Sequence, residues 1–97
     1  MAFVQIMQVA TSNYDALSDL DAQWRAETEG KRTLRRSIVA RDRTDPNRYV
    51  ILAFFDSYES AMENSKLPET QRFATRFTDL ADGPLTFQDL DIVEEND

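Results

Sequence analysis

The segment LRRSIVARDRTDPNRYVILAFF, residues 34–55, decides the fold of this chain. It holds two strand-like runs, predicted over 33–41 and 48–55, separated by a turn rich in Asp, Asn and Pro. The second run is apolar at odd and at even positions, so both of its faces must be covered. Helices can cover one face. The natural cover for the other face is a second copy of the same sheet.

The residues before this segment predict one strand and one helix. A strand pattern covers Phe3–Ala10, and an amphipathic stripe then predicts a helix about 16 residues long. Ser12 or Asn13 is expected to cap this helix, and Gly30 is expected to end it in the left-handed conformation. The stripe consists of Tyr14, Leu17, Leu20 and Trp24.

The residues after the segment predict two helical pieces and a last strand. Asp56 or Ser57 is expected to cap a short helix, and a second helix follows over 69–80 after a proline. A strand is predicted over 85–93. The whole order, β-α-β-β-α-β, predicts an α+β fold: a ferredoxin-like sandwich with an antiparallel sheet.

Length and charge limit the classes of partner. The 97 residues predict one domain, 1–93, followed by an acidic tail, 94–97. The net charge of −7 argues against nucleic acid and anionic membranes, since both are bound mainly through basic surfaces. No stretch approaches the roughly 20 apolar residues of a membrane helix, and no secretory leader is evident. A cytoplasmic protein is therefore expected.

The composition also limits the chemistry. The chain has no histidine and no cysteine, so disulfides, thiol nucleophiles and the usual zinc ligands are excluded. Its carboxylates are not at ligand spacing, and two glycines cannot form a phosphate-binding loop. The sequence therefore predicts neither a metal site nor a cofactor, and it assigns no catalytic residue.

Five residues are candidates for ligand binding. Asn64 stands where the second helix breaks before Pro68, and it either caps a helix or donates a hydrogen bond to a ligand. Trp24 is either a core residue with its indole N–H satisfied locally or a wall of an aromatic pocket. The full set is Asn64, Gln8, Trp24, Arg36 and Tyr58.

Arg36 and Gln8 are polar residues in strands that are otherwise apolar. Arg36 is expected to share a face with Leu34, Ile38 and Ala40, and an inward Arg requires a carboxylate. Asp89 or Asp91 is the expected partner, in a salt bridge or beside an anionic ligand. Gln8 is expected to bind a ligand, to pair with Gln5 or to lie in a dimer interface.

The segment AFFDSYESAMENSKLPETQRF, residues 53–73, resembles the antibiotic-biosynthesis-monooxygenase-like (ABM) domains of the dimeric α+β-barrel superfamily. It combines an aromatic strand end, an acidic-Ser cap and a helix broken at N-S-x-x-P-E. The ending DGPLTFQDLDIV resembles small actinobacterial members of uncharacterised function. The resemblance implies a homodimer in which two sheets close into a barrel. It also implies a ligand cavity between the sheet and helices of each subunit.

The signature residues of two enzyme groups in this superfamily do not carry over. Haem-degrading members use a His iron ligand that aligns near Ala74, a Trp near Asn64 and an Asn near Gln8. Haem degradation is therefore not expected. Quinone-forming members that need no cofactor use a Trp and an Asn at the positions of Phe55 and Ile51.

Two functions stay open at this level. The first is a homodimer that binds a small apolar or aromatic molecule and acts on it as a cofactor-independent monooxygenase-like enzyme. It predicts that Asn64 and Trp24 line a cavity. The alternative is a non-catalytic dimerisation or binding module without such a cavity, because side chains fill its barrel. The filling residues would be Phe54, Phe55, Phe73, Phe77 and Phe87.

Overall fold

A computed structural model describes residues 2–96 of the chain. Met1 and Asp97, the outer ends of the predicted domain and tail, lie outside the described residues. Four strands and three helices follow one another within this range. They are β1 (Phe3–Ala10), α1 (Tyr14–Glu27), β2 (Arg36–Arg41), β3 (Arg48–Phe55), α2 (Tyr58–Lys66), α3 (Pro68–Leu80) and β4 (Thr86–Asp91).

The strands form one antiparallel sheet in the order β2-β3-β1-β4. The two most apolar strands, β1 and β3, occupy the centre, where each pairs with a neighbour on both sides. The predicted α+β ferredoxin-like sandwich is thereby confirmed. Helices α2 and α3 together fill the place of its second helix.

The strands β1 and β3 have the predicted bounds, whereas β2 begins at Arg36, three residues later than expected. The delay has a local cause, because Thr33 is held by α2 instead of by the sheet. Its amide donates to Asn64 Oδ1 at 3.1 Å, and its hydroxyl donates to the Ser60 carbonyl at 2.6 Å. The next residue, Leu34, also lies on the side of the helices, so it does not share a face with Ile38 and Ala40.

The helix ends follow local capping chemistry. Asn13 caps α1 by accepting from the Ala16 amide, and Ser57 caps α2 in a reciprocal pair with Ser60. Ser57 is thus the correct choice of the two predicted caps. Asp56 instead accepts three hydrogen bonds from the Arg35 guanidinium, two from Nε at 3.0 Å and one from Nη2 at 2.6 Å. Gly30 has φ of +80°, as expected for the turn after α1.

The core lies between the sheet and the helices. One cluster joins Val9 and Tyr49 of the sheet to Leu17 of α1 and Phe77 of α3. A second cluster joins Phe3 and Phe55 to Ala61 of α2. Odd-numbered residues of β1 and β3 therefore face the helices, as the strand period requires.

The other face of the sheet, here called the open face, is also apolar. Its members include Val4, Ile6, Val50 and Leu52 of the central strands, with Ile38 and Leu90 on the edge strands. Ile38 is 38% exposed and Leu90 is 41% exposed. The predicted second apolar face of β3 is therefore present, and the helices of the described chain lie on the opposite side.

Arg36 does not have the predicted carboxylate partner. Its guanidinium lies over the Phe54 ring at 5.1 Å, on the open face. Asp89 and Asp91 lie on the helix-covered face of β4, at the opposite edge of the sheet. The expected pairing was wrong because it placed β2 and β4 within reach of each other, whereas two strands separate them.

None of the helices in residues 2–96 combines the length and apolar character needed to cross a bilayer. Residues 92–96 form no regular secondary structure, and residues 93–96 are exposed.

Candidate functional site

A cavity of about 190 Å³ lies between the sheet and the helices. Alternate residues of β3 form its floor from Tyr49 to Phe55, a span of roughly 20 Å. Helices α1, α2 and α3 contribute the walls. Apolar cavities of about 150 Å³ in other proteins accept benzene. This space is therefore suited to a compound built around one aromatic ring. Phe55, Phe73 and Phe77 border the space without filling it.

Trp24 of α1 forms a fixed aromatic wall of the cavity. It is 6% exposed, and its indole N–H donates to Thr70 Oγ1 of α3 at 2.9 Å. The Phe73 ring lies at 6.0 Å and the Arg32 guanidinium at 5.9 Å from its ring. The indole N–H of Trp24 is thus satisfied locally, as the core description predicts, and the residue also borders the cavity.

Asn64 lines the cavity at the end of α2, where the helix breaks before Pro68. Its Oδ1 accepts from the Thr33 amide, which can only donate, so this bond fixes the orientation of the side-chain amide. The Nδ2 group has no hydrogen-bond partner in residues 2–96. Every polar side-chain atom of this range that is fully inaccessible to solvent does have a partner. Nδ2 therefore remains accessible as a donor although the residue is 6% exposed.

A row of polar residues crosses the floor of the cavity. The register aligns Asp89, Gln5, Ala53 and Ser37 side by side across all four strands. Gln5 donates through Nε2 to Asp89 Oδ1 at 3.0 Å. The row on one side is apolar, with Met7, Ile51 and Val39. The row on the other side has Phe3 and Phe55 on the central strands and Asp91 on β4, outside the cavity. The row is thus a polar band between apolar surfaces, with the small Ala53 at its middle.

Arg25 of α1 completes this row above Ser37. Its Nη2 donates to Ser37 Oγ at 2.7 Å, and its Nε donates to Asp21 Oδ2 at 2.8 Å. The side chains of Arg25 and Asp21 are 37% and 46% exposed. Val39 beside them is also exposed, so the mouth of the cavity lies between α1 and β2.

Two tyrosines close the far end of the cavity. The rings of Tyr14 and Tyr49 stack with 4.6 Å between their centroids and 18° between their planes. Tyr49 is 8% exposed, and both rings belong to the cavity lining. This stacked pair gives the cavity a flat aromatic end opposite Asn64.

The structure brings together two of the five predicted site residues, Asn64 and Trp24. Gln8 and Arg36 lie on the open face and outside this cavity. Both are even-numbered strand residues, which point away from the helices. Tyr58 is 48% exposed, and it borders a separate depression with its ring against Phe3 at 5.6 Å.

The charged groups with clearly shifted pKa values lie outside the cavity. The hydrogen bond from Lys31 lowers the pKa of Glu69, and that from Arg35 lowers the pKa of Asp56. The pKa of Asp42 is lowered chiefly by the Thr44 amide and hydroxyl. Among residues 2–96, acidic side chains do not gather in groups of three that could hold a metal ion. The cavity thus offers hydrogen bonds and apolar surface.

Sequence reasoning missed the polar row and the tyrosine pair. Gln5 and Gln8 look alike in the sequence, and β1 has apolar residues at both odd and even positions, so the helix-covered face could not be chosen. Arg25 was missed because it appears as a solvated helix residue, and its contact with Ser37 spans two elements. The i, i+4 spacing of Asp21 and Arg25 was an available signal.

No protein-family model matches this chain, and no curated protein matches it in sequence. Solved structures do match. One is SnoaB from Streptomyces nogalater, a cofactor-independent oxygenase, with 14% identity and a TM-score of 0.81. The match covers 97% of this chain and 95% of SnoaB.

Two further structures give the same result. A protein of Chloroflexus aurantiacus, provisionally assigned as an antibiotic biosynthesis monooxygenase, has 20% identity and a TM-score of 0.76 over 100% of this chain and 98% of its own. A protein of Mycobacterium tuberculosis has 15% identity and a TM-score of 0.79, with both chains fully covered. At these identities the likeness establishes the fold, which is that of the ABM domains.

Proposed function

We propose that this protein is a small-molecule-binding homodimer of the cytoplasm that acts on an apolar or aromatic substrate as a cofactor-independent monooxygenase-like enzyme. One observation carries the proposal. Trp24 and Asn64, selected from the sequence for this role, border the same cavity of about 190 Å³. The ABM fold that this chain shares with an oxygenase of the same size supports the reaction class.

The proposed reaction takes all of its electrons from the substrate. One phenol and one O₂ give one para-quinone and one water: the para C–H and the O–H are lost, and one oxygen atom enters the ring. The protein's contribution is to exclude water, to hold the ring against Trp24 and to donate from Asn64 Nδ2 to a ring oxygen. No residue is assigned as an acid or base.

The direct test measures ligand binding before turnover. Native mass spectrometry of the freshly purified protein should show twice the chain mass of 11.2 kDa, with added mass that is lost on denaturation. Titration with 1-naphthol should then change the fluorescence of Trp24, the single tryptophan of the chain. If neither 1-naphthol nor the one-ring compound phenol changes this fluorescence up to its solubility limit, the cavity is not a ligand site.

Two variants locate the binding. Asn64→Ala should weaken 1-naphthol binding about tenfold, since it removes a hydrogen bond in a site with little exposure to water. Gln8→Ala is the control, because Gln8 lies on the open face. Equal weakening by both changes would contradict the proposed site. Oxygen uptake in a one-to-one ratio to quinone formed would support the enzyme.

The alternative is a non-catalytic binding module. It is favoured by Phe55 and Ile51, which occupy the positions where the quinone-forming members carry a Trp and an Asn. This function predicts no oxygen uptake, whether or not 1-naphthol is retained. The binding and uptake measurements therefore separate the two functions in one set of samples.

The proposal of a homodimer is based on the apolar surface of the open face. A sheet face with Ile38 and Leu90 about 40% exposed has apolar surface available for a partner. A second copy of this face supplies a matching apolar surface of the same size and shape. Arg36 and Gln8 would then lie at or near the interface between the two copies.

A further inference from the structure

The polar row across the cavity floor offers different hydrogen-bonding groups at its two ends. This inference rests on the pocket proposed above, and it concerns which hydrogen-bonding groups the ligand carries and where they lie. Gln5 and Ser37 stand on either side of Ala53, two strand spacings apart, or about 10 Å. One aromatic ring over Ala53 can therefore present opposite edges to the two polar ends.

The β1 end of the row offers mainly acceptors. The carboxylate of Asp89 can only accept, so the Gln5 atom bonded to it must be Nε2, and Oε1 is left without a partner in residues 2–96. A ligand group facing this end is therefore best satisfied as a donor, such as a hydroxyl.

The β2 end offers mainly donors. Arg25 has no acceptor atom, and Nη1 makes no hydrogen bond to residues 2–96. Ser37 Oγ already accepts from Arg25, and its own proton remains available for donation. A ligand group facing this end is best satisfied as an acceptor, such as a carbonyl oxygen.

The charges at the β2 end favour an uncharged acceptor. Asp21 already pairs with Arg25 at 2.8 Å, so the two side chains together are neutral. Asp89 places a further negative charge at the other end of the same row, and the chain as a whole carries −7. A carboxylate ligand would meet no unpaired cation among these row residues.

We propose that the pocket selects a single aromatic ring with a hydroxyl donor facing Gln5 and, on the opposite side of the ring, an uncharged carbonyl facing Ser37 and Arg25. The apolar rows that contain Ile51 and Phe55 hold the two remaining ring edges. Asn64 is available to a further oxygen substituent at the end of the cavity.

Four probes test this polarity through the fluorescence of Trp24. They are 4-hydroxyacetophenone, acetophenone, phenol and 4-hydroxybenzoate. We expect 4-hydroxyacetophenone to bind about threefold to tenfold more tightly than acetophenone or phenol, each of which lacks one polar group. The carboxylate probe should bind no more tightly than the ketone. A tighter 4-hydroxybenzoate would overturn the uncharged acceptor.

Variants connect each preference to its residue. Gln5→Met keeps the side-chain length and removes the acceptor, so 4-hydroxyacetophenone and acetophenone should then bind alike. Ser37→Ala should reduce the advantage of 4-hydroxyacetophenone over phenol. Gln8→Met, on the open face of the same strand, is the matched control and should leave both ratios unchanged.

The outcomes separate this inference from the pocket itself. If all four probes bind with similar affinity, the cavity remains a ligand site, but the proposed arrangement of a donor facing Gln5 and an acceptor facing Ser37 is overturned. If none of them, nor 1-naphthol, changes the fluorescence of Trp24, the pocket is overturned as well. Unchanged probe ratios in Gln5→Met would show that the selectivity arises elsewhere and would contradict the assigned row.

Discussion

The two faces of the sheet are built from the same strands but differ in what covers them. On the helix-covered face, Phe3 and Val9 are 2% and 1% exposed, and the space above Ala53 remains as a cavity. On the open face, Ile38 and Leu90 are 38% and 41% exposed. Apolar composition alone therefore does not tell which face holds a ligand.

The difference lies in where polar side chains interrupt each face. On the helix-covered face Gln5, Ser37 and Asp89 fall in one register row, and helix α1 adds Arg25 to it. On the open face, Gln8 and Thr86 share a row near one rim, and Arg36 lies in a row near the opposite rim. Aligned polar groups beside a cavity suit a ligand, whereas scattered ones at a rim suit an interface between proteins.

The largest predicted effect is on the free energy of unfolding, and two phenylalanines with opposite exposure test it. Phe77 is 4% exposed in the core, whereas Phe87 is 56% exposed on the edge strand. Phe77→Ala should lower the free energy of unfolding by about 3–5 kcal/mol, because it removes a buried ring and enlarges the cavity. Phe87→Ala should lower it by less than about 1 kcal/mol.

Urea denaturation followed by circular dichroism measures both changes. Similar losses for the two variants would mean that the edge strand is as closely packed as the core, contrary to the exposure of Phe87. In a dimer the midpoint also depends on protein concentration, so both variants must be compared at one concentration.

Neighbouring residues of β2 test the two faces against each other. Ile38 points to the open face and Val39 to the cavity, with 38% and 46% exposure. Ile38→Glu should shift the dimer to monomers of 11.2 kDa without loss of ligand binding, since each copy would bury an unpaired glutamate in the apolar interface. Val39→Glu should leave the dimer intact and weaken 1-naphthol binding.

Light scattering coupled to size exclusion gives the mass, and Trp24 fluorescence gives the affinity. If Ile38→Glu remained dimeric, the open face would not be the interface. If Val39→Glu bound 1-naphthol like the unchanged protein, the mouth between α1 and β2 would be misplaced.

A smaller effect is expected from the hydrogen bond that orients Trp24. Thr70→Val removes the acceptor of the indole N–H at 2.9 Å and should cost about 1 kcal/mol of stability. It should also shift the emission of Trp24 and weaken 1-naphthol binding, because the ring loses its fixed position. Thr75→Val is the control on the same helix, since the exposed Thr75 hydroxyl bonds to its own helix.

Much of the fold was predictable because strand and helix periods are local. The bounds of β1 and β3, the Asn13 cap and the turn at Gly30 all follow from residues close in sequence. The start of β2 was not predictable in this way. Thr33 leaves the sheet because Asn64, 31 residues away, accepts its amide hydrogen.

The candidate site was less predictable for a related reason. Asn64 and Trp24 carried local signals, namely a helix break and a lone indole in an apolar stripe. The polar row exists only once four strands are in register, so neither Gln5 nor Ser37 could be separated from other polar strand residues beforehand. Arg36 was assigned to the wrong face because the sequence does not show whether the odd-numbered or the even-numbered residues of β2 face the helices.

The smallest effect concerns the ion pair that joins the turn after α1 to the start of α3. Lys31 Nζ lies 2.6 Å from Glu69 Oε2, and this bond lowers the pKa of Glu69 below its ordinary value of 4.5. A lowered folded-state pKa gives stability that is present above about pH 4.5 and is lost as the pH falls through the folded value. Glu69→Gln should therefore show a smaller fall in the urea midpoint between pH 5 and pH 3 than the unchanged protein.

Lys31→Met is the matched change, because it removes the same pair from the other side. If the pair alone sets the pKa of Glu69, the two single variants and the double variant should lose the same part of the acid response. The rest of the acid response should remain in all three variants, because it arises from the lowered pKa values of Asp56 and Asp42. An undiminished response in Lys31→Met would mean that the α3 terminus, where the Glu69 backbone amide also donates to the carboxylate, dominates this pKa.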